Sequence, residues 1–167
     1  MQYIKKIGNY IDFEKLKKEV IALQEKVKSP IISLQWRDPT DISWGNATGF
    51  HHGPVEQEFS NIMPGLMGSE IERMFNILPY KMYRTRIMTI SPNFKYIPHA
   101  DPNPRIHIPI VSNELCKFHF FAQQELQQYM PADGSIFWVD ARNKHTFYNS
   151  SDKYRIHIVA VTDLDLN

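Results

Sequence analysis

Residues 135–161 read SIFWVDARNKHTFYNSSDKYRIHIVAV. Two apolar-alternating runs, 135–139 and 154–162, flank a polar stretch rich in Asn, Asp, Ser and Lys. Strand-like runs separated by turn residues also occur upstream, at 83–90, 105–111 and 116–121. Short strands at such spacing indicate an all-β sandwich or barrel. Within RIHIVAV, Arg155, His157 and Val159 share one strand face, and Ile156, Ile158 and Ala160 share the other. The tetrapeptide RIHI recurs at 105–108, which places Arg105 and His107 opposite Ile106 and Ile108. Two copies of four residues are too little to define a repeat.

The first 80 residues differ in character. Residues 12–28 carry Phe13, Leu16, Val20, Leu23 and Val27 at helical spacing, with Asp12 as N-cap and Pro30 as the stop. Residues 31–36 (IISLQW) read as a short strand, and 68–78 as a second helix capped by Ser69. Residues 37–67 are rich in Gly, Pro, Asn, Asp and Ser and read mostly as loop. A loop that long points to function or to small elements that periodicity does not resolve. The expected organisation is a single domain, with a helical and loop part over 1–80 and a β core over 81–165.

Composition bounds the function. The chain has 167 residues and a net charge of +1, without the basic excess of a nucleic-acid binder. A lone cysteine, Cys116, excludes a disulfide framework and a cysteine-rich zinc module, and favours a reducing compartment. Charges interrupt every apolar run, so no signal peptide or membrane span is expected, and the expected setting is cytoplasmic.

The chemistry-bearing residues lie in the β half. In His99-Ala100-Asp101 both side chains point to one strand face, where they can meet one metal ion. His145 follows a strand and a polar turn. Two histidines and a carboxylate form the facial triad of non-haem Fe(II) oxygenases, which leaves three coordination positions open. A zinc hydrolase uses similar ligands, so the triad alone leaves the metal undecided. An arginine on an inward barrel face is costly unless it meets an anion, and Arg155 sits either on such a face or on one exposed to solvent. A carboxylate is the anion that a guanidinium fork matches best. Arg105 and His107 sit on one face of a strand that is apolar on the other, either in solvent or toward a lumen.

In this order, the stretches TISPNFKYIPHAD, RIHIPI, DGSIFWVDARNKHTFYNSSD and YRIHIVAVTD resemble the aspartyl/asparaginyl β-hydroxylase family, which includes cis-type proline hydroxylases. The matching stretch runs from about Tyr83 to Asp163. The resemblance implies a double-stranded β-helix, a cupin-like jelly roll, with helices packed on one sheet. It implies Fe(II) held by His99, Asp101 and His145, with 2-oxoglutarate and O2 as co-reactants. Arg155 would then pair with the distal carboxylate of 2-oxoglutarate, and His107 would touch its metal-bound end. Arg105 would sit near the substrate's carboxylate or share cosubstrate binding. A serine that contacts the cosubstrate in some members falls at Met88 or Thr89 here, where Thr89 would replace it. His157 has no counterpart role.

The implied reaction is hydroxylation of an unactivated C–H of an amino acid or an amino-acid residue in a peptide or protein. Arg84, Arg86 and Arg105 are candidate clamps for a substrate carboxylate. Trp36, Trp44 and the His51-His52-Gly53 turn are candidates for a lid or pocket wall. Two competing readings are another cupin-type metalloenzyme that does not use 2-oxoglutarate, and a non-catalytic binding module on the same barrel.

Overall fold

The structure is a computed structural model that describes residues 2–49, 55–121 and 126–167. The chain opens with strand β1 (Ile4–Asn9), helix α1 (Phe13–Val27) and strands β2 (Ile31–Ser33) and β3 (Gln35–Trp36). Helix α2 (Val55–Glu58), strand β4 (Asn61–Ile62), a 3-10 turn (Pro64–Leu66) and helix α3 (Glu70–Ile77) follow. The β region then runs through β5 (Tyr83–Ile90), β6 (Phe94–Lys95), β7 (Arg105–Val111) and β8 (Cys116–Phe120). It ends with β9 (Leu126–Tyr129), β10 (Ser135–Val139), β11 (His145–Asn149) and β12 (Arg155–Val161).

Among the described residues the large sheet has the order β1-β10-β7-β12-β5-β2, and the smaller one β6-β11-β8-β9. All of these pairings are antiparallel. This is the expected two-sheet jelly roll. The N-terminal part supplies both edge strands of the large sheet, because β1 pairs with β10 and β2 with β5.

The period of two along β7 and β12 separates two apolar layers. Ile106, Ile108, Ile110, Ile156, Ile158 and Ala160 pack outward with Leu16 and Val20 of α1 and Ile71 and Met74 of α3. Between the sheets lies a second, largely aromatic cluster with Phe118, Phe120, Phe137 and Phe147. A residue on the inner face of β5, β7 or β12 therefore points into the space between the sheets. Burying both layers contributes roughly 25 cal/mol per Å² of apolar surface, and this holds the inner face in place.

Several local expectations change. Residues 31–36 are not one strand: the chain breaks at Leu34, whose N–H donates to Thr85 O at 2.8 Å, and β3 turns away to pair with β4. The 37–67 region contains α2, β4 and the 3-10 turn, none of which has a periodic apolar signal. Asp12 precedes α1 but its carboxylate caps no backbone N–H; it pairs with Lys15 and Arg73 instead. Ser69 caps α3 as expected, accepting from Glu72 N–H at 3.0 Å. Gly134, with φ +89, lets the chain enter β10 against Tyr10, whose carbonyl oxygen would lie 3.0 Å from any Cβ there.

Candidate active site

A two-residue bridge outside the named sheets creates the centre. His99 N–H donates to His145 O at 2.9 Å, and His145 N–H to His99 O at 2.8 Å. The pairing brings the two imidazoles to a centroid distance of 4.6 Å. Asp101 N–H donates to Ala141 O at 2.8 Å, which anchors the third residue beside them. One potential ligand atom from each of His99, Asp101 and His145 then lies within 4.8 Å of the others.

The ring orientations fit a metal. His99 Nδ1 lies 2.8 Å from Ile97 O, and His145 Nδ1 lies 2.8 Å from Asn143 O. A carbonyl only accepts, so each Nδ1 carries the proton and each Nε2 keeps its lone pair for an ion. Burial pushes the His145 pKa down and outweighs the Asn143 carbonyl, which pushes it up, so the ring is held neutral. A neutral imidazole is the form that ligates.

The trio opens onto a cavity of about 270 Å³. Arg86, Met88, Tyr96, Arg105, His107, Phe118, Phe147 and Val159 complete its wall together with Gly49, Arg84, Ala100 and Ala141. The arginines in this wall are not equivalent. Glu56, on α2, is buried to 1% exposure and accepts from both Arg84 and Arg105. Arg84 Nη1 donates to it at 2.6 Å, and Arg105 reaches it through two bonds of 3.1 Å, with Asn103 adding a fourth. Arg105 also pairs with Asp101 at 2.9 Å. Burial alone would raise the Glu56 pKa, but Arg105, Asn103 and Arg84 outweigh it and hold the carboxyl below its ordinary value.

Arg84 and Arg105 are thus spent on an internal carboxylate rather than free for a substrate. Arg84 adopts φ +46 beside a register shift in β12, and it also donates to Ala47 O and Gly49 O. Arg86 is different: it is buried, lines the cavity, has no carboxylate partner among the described residues, and its Nε bonds to nothing. Burial, with Arg84 and Arg105 nearby, pushes its pKa down.

Arg155 is buried to 3% exposure and stacks over Phe147 at 4.8 Å and Phe118 at 5.7 Å. It lies just behind the wall that these two rings form. Among the described residues its polar contact is His157 Nδ1, at 2.8 Å from Nη2. His107 lines the cavity itself.

Three expected site residues lie elsewhere. Thr89 alternates with Met88 and Ile90 and shares a strand face with Ile87, which packs into the helix-side layer. It therefore points away from the cavity, and a hydroxyl in the next register position does not replace a missing one. Trp44 packs into the helix-side layer against Gly65 rather than into the cavity wall. Trp36 belongs to the same layer and donates to Ile62 O. The His51-His52-Gly53 turn lies outside the described residues. The sequence reading missed Glu56, whose signal was two inward arginines needing an anion.

The sequence model described as aspartyl/asparaginyl beta-hydroxylase matches residues 11–162. The chain belongs to the aspartyl/asparaginyl β-hydroxylase family. It is accordingly an enzyme of the hydroxylase class whose members act on amino acids or amino-acid residues. No protein of curated function matches its sequence. Solved structures share the fold at low identity. A Pseudomonas putida prolyl-4-hydroxylase is 9% identical over 99% of this chain and 95% of that one, with a TM-score of 0.54. A 2OG-Fe(II) oxygenase-family oxidoreductase from Burkholderia pseudomallei is 14% identical over 95% and 84%, with a TM-score of 0.53. The viral collagen prolyl hydroxylase of Paramecium Bursaria Chlorella virus-1 is 10% identical over 96% and 91%, with a TM-score of 0.50.

Proposed function

We propose that this hydroxylase holds Fe(II) on His99, Asp101 and His145 and uses 2-oxoglutarate and O2 to hydroxylate a carboxylate-bearing amino acid or amino-acid residue. The observation that carries the reading is the convergence of two Nε2 lone pairs and one carboxylate at the mouth of a cavity rimmed with cations. This donor set fits Fe(II): three protein ligands on one side leave positions open toward the cavity. When bound, the iron lets O2 place one oxygen in the substrate C–H bond and the other in succinate, with loss of CO2.

The chain's own residues bind and orient. Arg105 ties Asp101 to Glu56 and so fixes the carboxylate ligand. Met88, Tyr96, Phe118, Phe147 and Val159 exclude water from the reacting centre. With the cosubstrate bound, His107 would face its keto-acid end and Arg155 would take its distal carboxylate. Arg86, which has no carboxylate partner among the described residues and an unbonded Nε, would take the carboxylate of the substrate. No general base is required, and the buried, unpaired Cys116 supports a reducing cytoplasmic setting.

The test is anaerobic titration of the Fe(II)-loaded protein with 2-oxoglutarate. A saturable weak visible absorption band is expected, and it disappears in His145→Ala. Bound iron without a band would remove 2-oxoglutarate from the reading.

Arg155 gives a second prediction. A buried guanidinium without an anion weakens the fold, because burial opposes its charge. Arg155→Met is therefore expected to leave the melting temperature of the cosubstrate-free protein equal or higher. The KM for 2-oxoglutarate should rise about 10–100-fold, the value of a hydrogen bond to a charged group. An unchanged KM would mean that another cation holds the distal carboxylate.

A further inference from the structure

His157 is the one motif residue that the site has not absorbed. It is buried to 1% exposure on the inner face of β12, two residues from Arg155. Its Nδ1 lies 2.8 Å from Arg155 Nη2. A guanidinium only donates, so His157 Nδ1 must accept and the ring proton must sit on Nε2. That Nε2–H is buried and has no hydrogen-bond partner. Burial, with Arg155 and His107 beside it, keeps the ring far below its ordinary pKa, so it is a neutral donor.

One buried donor, the His157 Nε2–H, therefore stands without an acceptor beside the Arg155 guanidinium. Arg155 has no carboxylate partner among the described residues, and its polar contact there is the His157 ring. An unmet buried donor is costly, so the His157 N–H persists against the fold's own interest. In register, His157 faces Met88 on β5 and Pro109 on β7, neither of which offers a strong acceptor. His107 Nδ1 approaches the already occupied His157 Nδ1 at 3.4 Å, which leaves Nε2 untouched.

We propose that His157 is a cosubstrate-binding residue, its Nε2–H and the Arg155 guanidinium each taking one oxygen of the distal carboxylate of 2-oxoglutarate. This rests on the cosubstrate assignment above and adds a donor to it. Arg155 plays a double part, as it binds the carboxylate and fixes the tautomer that makes His157 a donor. Access runs past Met88, which lines both the catalytic cavity and an adjoining apolar pocket walled by Pro30, Ile31, Ile90, Phe94 and Tyr96. An unbranched thioether with space on both sides swings aside at little cost.

The test uses the full chain loaded with Zn(II), which holds the ligands without redox turnover. Calorimetry compares 2-oxoglutarate with 2-oxobutyrate, which has the same keto-acid head but no distal carboxylate. His157→Leu should weaken 2-oxoglutarate about 10–100-fold and leave 2-oxobutyrate unchanged, while His157→Gln, which keeps an N–H donor, should restore most of the affinity. Equal weakening of both ligands, or of neither, would overturn the proposal and leave His157 a packing residue. Should His157→Leu not fold, 15N-histidine NMR of the wild type decides. A His157 protonated on Nε2, whose resonance moves on adding 2-oxoglutarate but not 2-oxobutyrate, supports the proposal; an unmoved resonance overturns it. A wild type that binds 2-oxobutyrate and not 2-oxoglutarate overturns the cosubstrate reading itself, a result distinct from loss in the variants alone.

Discussion

Glu56→Gln is expected to lower the stability of the folded protein by about 3–5 kcal/mol, the usual consequence of removing one partner from a buried ion pair. Two guanidiniums depend on this carboxylate, Arg84 at 2.6 Å and Arg105 through two bonds of 3.1 Å. The variant keeps the shape of the side chain and one acceptor oxygen but leaves the arginines without its charge. For a chain of this size the melting temperature should fall by roughly 6–20 °C, read by circular dichroism or calorimetry. The effect is pH-dependent with a defined sign. The folded Glu56 pKa lies below the ordinary 4.5, so its stabilisation is fully present above that value and is lost as pH falls through the depressed one. The gap between wild type and variant should therefore be widest near neutrality and close in acid. An unchanged melting temperature at pH 7 would mean that Arg84 and Arg105 are neutralised by another group. Catalysis should suffer as well, because Arg105 links Glu56 to Asp101.

Asp101→Ala and His99→Ala are each expected to abolish iron-dependent succinate release. The loss should exceed the 10–100-fold typical of removing a residue that only orients a ligand. Both residues are half-buried at the cavity mouth, so the folded state should survive with little change in melting temperature. Iron content after desalting and succinate release under saturating 2-oxoglutarate check the pair of effects together. Full turnover in either variant would sink the assignment of the ligand trio. His145→Ala should be more disruptive to the fold, since His145 is buried on β11 between Phe118 and Phe120.

The β half was legible because its periodicity is unambiguous. Ile106, Ile108 and Ile110 alternate with Arg105 and His107, and Ile156, Ile158 and Ala160 with Arg155 and His157. The apolar face of each strand must meet a packing partner, which leaves the other face to solvent or to a lumen. Strands β5, β7 and β10 accordingly begin and end where the pattern places them. Strand β9 (LQQY) carries polar residues where alternation would need apolar ones. Strand β1 (IKKIGN) is interrupted by charges, and the two-residue β6 is too short for any period to register.

By itself the sequence determined which side chains share a strand face, because parity along a strand is a local property, and its family resemblance pointed to the trio His99, Asp101 and His145. Only the tertiary structure decided how the inward cations divide. Arg84, Arg86, Arg105 and Arg155 look alike along the chain, yet two are matched by Glu56, one stands open in the cavity, and one is stacked behind Phe118 and Phe147. Glu56 lies 28 residues from Arg84 and 49 from Arg105, a separation across which no periodicity acts. Thr89 shows the same division at single-residue scale: its neighbour Met88 points into the site and Thr89 itself points out. Charge pairing is set by distance in space and the low dielectric of a packed interior, and neither is written in local sequence.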